Sequence, residues 1–422
     1  MTESCPGCAA PLRFDPNLQV LVCRRCGGEY FPEDLAEAAG DVSWDNPGGI
    51  SVDNLIALDE QKAGAPNEDN YVEEYMDCMI YVCSQCGAEI VVNDTEASTI
   101  CIYCGCPSIV MSRIDKTIKP KYIIPFSVSK DEAEKLVRER ITGGSFVPKK
   151  LKDELTTDCI RGIYVPYWLT NLDYNGVVDV AIDRMESDGK YNRRKVTDHK
   201  TVAGDCKFRN LTTDASYTLV NDFMDSLEPF NIRRLKPFDP AYLAGFYSDI
   251  ADINRKGGKE EALEKAEKLF METVKRRTQN PINPPVLSVP VGTYEVYDTE
   301  PIMCPCWFYT FRYNDVPHTI MVNGSTGKVA GAVPYNRKKY VLMTLGLALI
   351  TYVIFAFLWT IVFDMVVKSA SSEAFIAAGL LLALSLSVLA AGLAKRKKVI
   401  KKIKMTESRT LFSFVKKRQD GM

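Results

Sequence analysis

Cys5-Pro6-Gly7-Cys8 and Cys23-Arg24-Arg25-Cys26 stand near the start of the chain, and Cys83-Ser84-Gln85-Cys86 and Cys101-Ile102-Tyr103-Cys104 repeat the arrangement. Each cysteine of the second set lies 78 residues beyond its counterpart, so both sets share the spacing C-x2-C-x14-C-x2-C. A two-residue gap lets both sulfurs of a pair turn toward one ion. Four thiolates are the soft, tetrahedral donor set that zinc takes. Gly27 and Gly87, each just past a pair, suit the sharp turn this requires. The pattern predicts two small β modules of the zinc-ribbon type, residues 1–32 and 78–112, each holding one Zn2+. Cys5, Cys8, Cys23 and Cys26 are the first ligand set, and Cys83, Cys86, Cys101 and Cys104 the second. A redox dithiol explains one such pair better than four, and iron is the other metal that four thiolates hold. With no coordination position left open, the metal is expected to be structural, stabilising modules too small to bury a core. Cys106 reads as a spectator.

Outward from these modules, the 422 residues carry an ordinary 46% hydrophobic and 25% charged content, enough for two or three domains. Fourteen cysteines accompany only two histidines, His199 and His318. The start, Met1-Thr2-Glu3-Ser4, lacks the basic and apolar regions of a signal peptide. The thiols are therefore expected to face a reducing cytosol. Residues 33–77 hold thirteen acids and one lysine, Lys62, and read as a flexible acidic linker. The second module contains Glu89, Asp94 and Glu96 but no Lys or Arg, and the first is balanced. Phosphate binding needs a basic surface, so protein contact is the better expectation and no nucleic acid is expected.

Residues 113–336 read as an α+β domain. Tyr122–Phe126, Ile163–Trp168, Gly176–Ile182, Cys306–Tyr313, His318–Val322 and Lys328–Val333 have strand character. Asp131–Ile141 reads as a helix with Ser129 as its cap, and Asp239–Ile250 as a helix opened by Asp239 and Pro240. Lys259–Arg277 is a third, with Leu263, Ala266, Phe270 and Val274 on one face. Gly324-Ser325-Thr326-Gly327-Lys328 resembles a phosphate loop only superficially. Val322 stands where the first glycine belongs and Val329 where Ser or Thr should follow, so a hairpin turn is expected. Cys304-Pro305-Cys306 beside Trp307 and Phe308 reads as buried strand. No catalytic motif is present, and the chain is read as non-enzymatic.

The whole-chain charge of -2 hides an asymmetry, with fifteen Lys and Arg against four Asp and Glu from Arg337 onward. Val341–Phe363 and Ala374–Ala394 are uncharged and long enough to span a bilayer. Residues 337–396 are therefore expected to form a two-helix transmembrane hairpin. Basic flanks place both termini in the cytoplasm of a bacterial inner-membrane protein. Small residues every four positions, Gly379, Ala383, Ser387 and Ala391, would let the hairpin pack on itself, on a second copy or on another protein. In residues 397–422 and just before them, Lys395, Arg396, Lys397, Lys398, Lys401, Lys402 and Lys404 are expected to lie along anionic headgroups of the lipid bilayer.

The expected fold is thus multi-domain: two N-terminal four-cysteine zinc ribbons of small β type, a central α+β domain and a C-terminal two-helix transmembrane hairpin. Ile123-Ile124-Pro125-Phe126, Gly162-Ile163-Tyr164-Val165-Pro166-Tyr167-Trp168-Leu169 and Met224-Asp225-Ser226-Leu227-Glu228-Pro229 carry a resemblance. Tyr242-Leu243-Ala244-Gly245-Phe246 and Val322-Asn323-Gly324-Ser325-Thr326-Gly327-Lys328-Val329 extend it. From about Cys83 to Lys339 the chain resembles bacterial zinc-ribbon membrane proteins of the YdjG type. These are often labelled as primosomal-like or as carrying ribbons of the transcription factor IIB type. A helicase needs a nucleotide loop that this chain lacks, and Pro305-Cys306-Trp307 departs from the family's Pro-Val-Trp. The resemblance implies an anchoring role in membrane stress beside phage-shock protein A and flotillin-like SPFH proteins. The leading expectation is a membrane-anchored adaptor. A tethered nucleic-acid-binding protein and an enzyme with an unrecognised site in the α+β domain are the alternatives.

Overall fold

The computed structural model describes residues 4–38, 73–83, 89–92, 109–153 without 145, 160–188, 192–216, 221–278, 286–313 and 316–331. Most of 333–336 and isolated positions as far as 361 are also described. Near the N-terminus, β1 (Leu12–Asp15), β2 (Val20–Cys23) and β3 (Glu29–Tyr30) form a three-stranded antiparallel sheet, followed by α1 (Pro32–Ala38).

The rest is mostly β. Twelve strands form one further sheet. Its axis is a pair of long strands, β8 (Ile160–Asp188) and β13 (Val291–Tyr313), running antiparallel. β9 (Asn192–Asp214) folds back on β8, pairing from Tyr167↔Asp214 to Asp188↔Asn192. β14 (Val316–Asn323) returns along β13, and β15 (Val329–Ala330) closes a short hairpin on β14. β7 (Tyr122–Ile123) pairs with β13 and with β10 (Lys236–Pro237). β12 (Val286–Leu287) pairs with β8.

The second cysteine module is woven into this sheet. β4 (Tyr75–Cys83) pairs with β6 (Ile109–Ile118) on both sides of residues 77/78 and 112/113, with a bulge that skips Ser112 between Ile80↔Arg113 and Tyr81↔Met111. β5 (Glu89–Val92) pairs with β4 and with β11 (Tyr247–Ser248), which itself lies parallel to β8.

Strand alternation explains the layers. Near its start β8 sends Ile163, Val165, Tyr167 and Leu169 to one face, where Cys304, Cys306 and Phe308 of β13 meet them. α4 (Asn221–Leu227) covers that face with Met224 and Leu227. Tyr164 of β8 and Met303, Trp307 and Tyr309 of β13 point the other way, under α2 (Lys130–Thr142) and the N-terminal sheet. α2 buries Ala133, Val137 and Ile141, and its cap is as read from sequence, with Ser129 accepting from the Glu132 N–H. α3 (Lys149–Asp153) adds Leu151 to the same layer. Farther along, β8 and β9 form a projecting arm. Leu172, Tyr174, Val178 and Val180 pack there on Ala262, Ala266, Phe270 and Val274 of α5 (Arg255–Arg277). Two glycines make the close approach possible. A side chain at Gly176 would meet the Phe270 ring at 2.8 Å, and one at Gly258 the Trp168 ring at 2.3 Å.

Several expectations change. Asp239 does cap a helical turn, accepting from the Ala241 N–H with Pro240 at its start, but the turn is 3-10 and ends at Leu243. Gly245 then takes a left-handed φ of +83°, and Tyr247–Ser248 leave as a strand, so Asp239–Ile250 is not one helix. The Asn323–Lys328 segment is a hairpin turn. The Asn323 carboxamide oxygen accepts from the Ser325 and Thr326 N–H groups, and its amide donates to Leu227 O and Pro229 O.

The expected C-terminal transmembrane hairpin, and with it the inner-membrane multi-pass localisation, is corrected. Among the described residues no helix is long and apolar enough to cross a membrane, and the architecture is dominated by strands. The longest described helix, α5, is amphipathic, with one buried stripe and charged residues along the rest. An uncharged stretch meets a length criterion, but length alone does not distinguish a span from other apolar segments. Val341–Phe363 lies outside the described residues apart from isolated positions. Ala374–Ala394, the basic group Lys395, Arg396, Lys397, Lys398, Lys401, Lys402 and Lys404, and most of the linker 33–77 lie outside them entirely.

Candidate metal centre

Cys5 and Cys8 sit on one knuckle, ahead of β1; Cys23 and Cys26 sit on another, at the end of β2. The two turns are built alike. Ala9 N–H donates to Cys5 O at 2.8 Å, and Gly27 N–H donates to Cys23 O at 2.9 Å. The residue after each pair is left-handed, Ala9 at φ 55° and Gly27 at φ 74°. Gly27 adopts this without steric cost, as its place in the sequence suggested, whereas Ala9 carries a Cβ against it. β1 and β2, in register from Leu12↔Cys23 to Asp15↔Val20, then bring the knuckles together.

The four Sγ atoms lie within 4.8 Å of one another. Cys5–Cys26 and Cys8–Cys23, each pairing a sulfur of one knuckle with one of the other, are both 3.5 Å apart. A tetrahedral ion with metal–sulfur bonds of about 2.3 Å needs sulfur–sulfur edges of roughly 3.8 Å. Four sulfurs already near that separation, all soft donors, fit a thiolate-bound metal.

Electrostatics favours one thiolate first. The Tyr30 hydroxyl lies 3.4 Å from Cys5 Sγ, and its hydrogen bond is the main reason the Cys5 thiol is lowered to about 6. The same contact raises Tyr30 to about 12, because the phenol is kept as a donor. Cys23 is lowered, chiefly by the Cys26 N–H. Cys26 receives the Gly28 N–H, which lowers it, but its three neighbouring thiols outweigh that and raise it to about 12. The Ala10 N–H lowers Cys8, but the Cys23 thiol and burial together prevail and raise it. Four sulfurs this close hold protons in common, and a divalent cation at their centre displaces them. Tyr30 was not singled out by sequence reasoning. Only the β2–β3 pairing, Leu21↔Tyr30, carries it over the knuckle.

Of the second ligand set, Cys83 is described and fully buried at the end of β4, opposite Ile109. Cys86, Cys101 and Cys104 lie outside the described residues. Cys304 and Cys306 are buried in β13, and burial pushes both thiols well above the usual range, as inert core cysteines show.

The class that fold and site define is a large, mostly antiparallel β platform carrying a small four-cysteine module on one face. No known family profile matches the chain. It is 26% identical over 352 residues to a protein named uncharacterized protein YdjG from Bacillus subtilis (strain 168), covering 82% of this chain and 94% of that one. That span supports the likeness to YdjG read from the sequence motifs. No solved structure matches.

Proposed function

We propose that the chain is a zinc-dependent adaptor, its ribbons and β platform presenting surfaces to other proteins. The observation that carries the reading is the closed set of four thiols at Cys5, Cys8, Cys23 and Cys26. Such a set uses every position of a tetrahedral ion and leaves none for substrate, so the ion orders a surface rather than performing chemistry. When bound, zinc supplies four bonds that replace a core. This chain's residues aim the thiols, with Tyr30 supporting Cys5 as thiolate. Cys83, Cys86, Cys101 and Cys104 hold a second ion in the same reading. The acidic linker and a second module without Lys or Arg favour proteins over nucleic acid as partners. The family resemblance points to phage-shock protein A and SPFH-type proteins as the first to test.

Direct binding measurements with those two proteins, using wild type and a Cys8→Ser variant, test the reading. Elemental analysis runs alongside and is expected to find about two zinc ions per wild-type chain, one per closed site. Binding that is lost with the metal supports the adaptor. A salt-sensitive complex with nucleic acid and none with protein would replace it.

A further inference from the structure

We infer that the metal at Cys5, Cys8, Cys23 and Cys26 acts as a clasp. With it the N-terminal ribbon is seated on an aromatic cluster of the large sheet, and without it the ribbon leaves and the seat opens. The inference rests on the metal reading above but goes beyond it, because the sequence presented the ribbon as a separate module.

The ribbon and the seat share one buried cluster. Cys5, Leu12, Phe14, Leu21 and Cys23 belong to it together with Ile123, Phe126, Tyr242 and Phe246. Phe14 N–H donates to Ala244 O at 3.1 Å, and its ring meets Tyr242 edge-on at 5.2 Å. The Gln19 side chain donates to Phe126 O at 2.7 Å. Glu33 of α1 pairs with Lys236 at 2.9 Å and accepts from the Tyr242 hydroxyl at 3.1 Å. Beneath this layer Phe126 stacks on Phe246 at 4.3 Å and packs against Trp307 at 4.8 Å.

The ribbon's half of the contact depends on the metal by geometry. β1 lies between the two knuckles in sequence, so Leu12 and Phe14 are held in place at both ends by ligand pairs. The ribbon strands have four, four and two residues, too few to bury a core of their own. Its apolar side chains are spent on the seat. Metal that binds only the ordered ribbon therefore favours docking, and by linkage docking tightens the metal.

Hydrogen exchange on the full chain, kept reduced, tests this with zinc bound and after removal by a chelator. Segments 121–128 and 238–248 are expected to lose protection by about tenfold or more on removal, while 255–277 stays unchanged. A Phe14→Ala variant keeps all four thiols. It is expected to hold zinc one-for-one at this site, to release it to chelator faster than wild type, and to exchange faster at 238–248. Stoichiometric loss of zinc with unchanged protection at both segments overturns the clasp and leaves the metal site standing. A reduced protein that binds no metal at the N-terminal cysteines removes the metal reading, and the clasp with it.

Discussion

The two ends of the large sheet are held in opposite ways. At the arm, β8 alternates without interruption, Leu172, Tyr174, Val178 and Val180 inward and Asn175, Val177 and Asp179 exposed. α5 answers with buried residues every four positions, Gly258, Ala262, Ala266, Phe270 and Val274. Two regular periodicities meet in a buried apolar contact, to which Lys265 adds a hydrogen bond to Thr212 O and Arg255 one to Thr299 O. At the ribbon, no period is long enough to do this. Four sulfurs from two turns take the place of a core, and the apolar side chains that remain face the seat instead of each other. In the proposed reading, a short module gains order from a metal where a longer one gains it from area.

That contrast can be broken from either end. The largest effect is expected from stripping the metal, since thiolate-bound zinc contributes about 10–16 kcal/mol to the folding of small finger peptides. Circular dichroism and exchange should show residues 4–35 losing structure while the arm keeps its protection. If the arm melts as well, the two ends are not independent.

Phe270→Ala attacks the other end. The ring is 2% exposed and packs on Tyr174 at 5.4 Å, so its removal should cost about 3–5 kcal/mol in denaturant unfolding. Zinc content should be unchanged. A smaller loss, about 1 kcal/mol, is expected from Ser129→Ala, which removes the α2 cap, read out as a lowered unfolding midpoint.

The smallest effect sharpens the ribbon contact. Glu33 is raised by partial burial, but the Lys236 hydrogen bond and charge prevail and hold its carboxyl below the usual range. A carboxyl lowered in the folded state contributes fully above its ordinary pKa and loses that contribution as pH falls through the lowered value. Protection at 238–248, corrected for the intrinsic pH dependence of amide exchange, should therefore fall toward acid pH. In Glu33→Gln the Glu33-dependent part of that fall should vanish, at a cost of about 0.2–1 kcal/mol, because the pair is largely exposed. An identical acid response in the variant would assign the effect to another group.

Much of this was legible in the chain. The α2 cap, the α5 stripe, the Asn323–Lys328 turn and the left-handed Gly27 are local, and local chemistry writes them in adjacent residues. The Asp239 helix misled because its start signal was genuine. What ended it was Tyr247 pairing with Ile163, which lies 84 positions earlier in the chain. The uncharged C-terminal stretches misled in another way, since hydropathy measures solubility in an apolar medium and not which medium a segment meets.

By itself, the sequence picked out the four N-terminal cysteines that converge, for spacing dictates which sulfurs can meet when each pair sits on a single turn. Only the tertiary structure decided where that cluster sits. The seat is assembled from Ile123, Phe126, Tyr242, Ala244 and Phe246, segments more than a hundred residues apart. Contacts at that range arise from the pairing order of a twelve-stranded sheet, which no local pattern encodes.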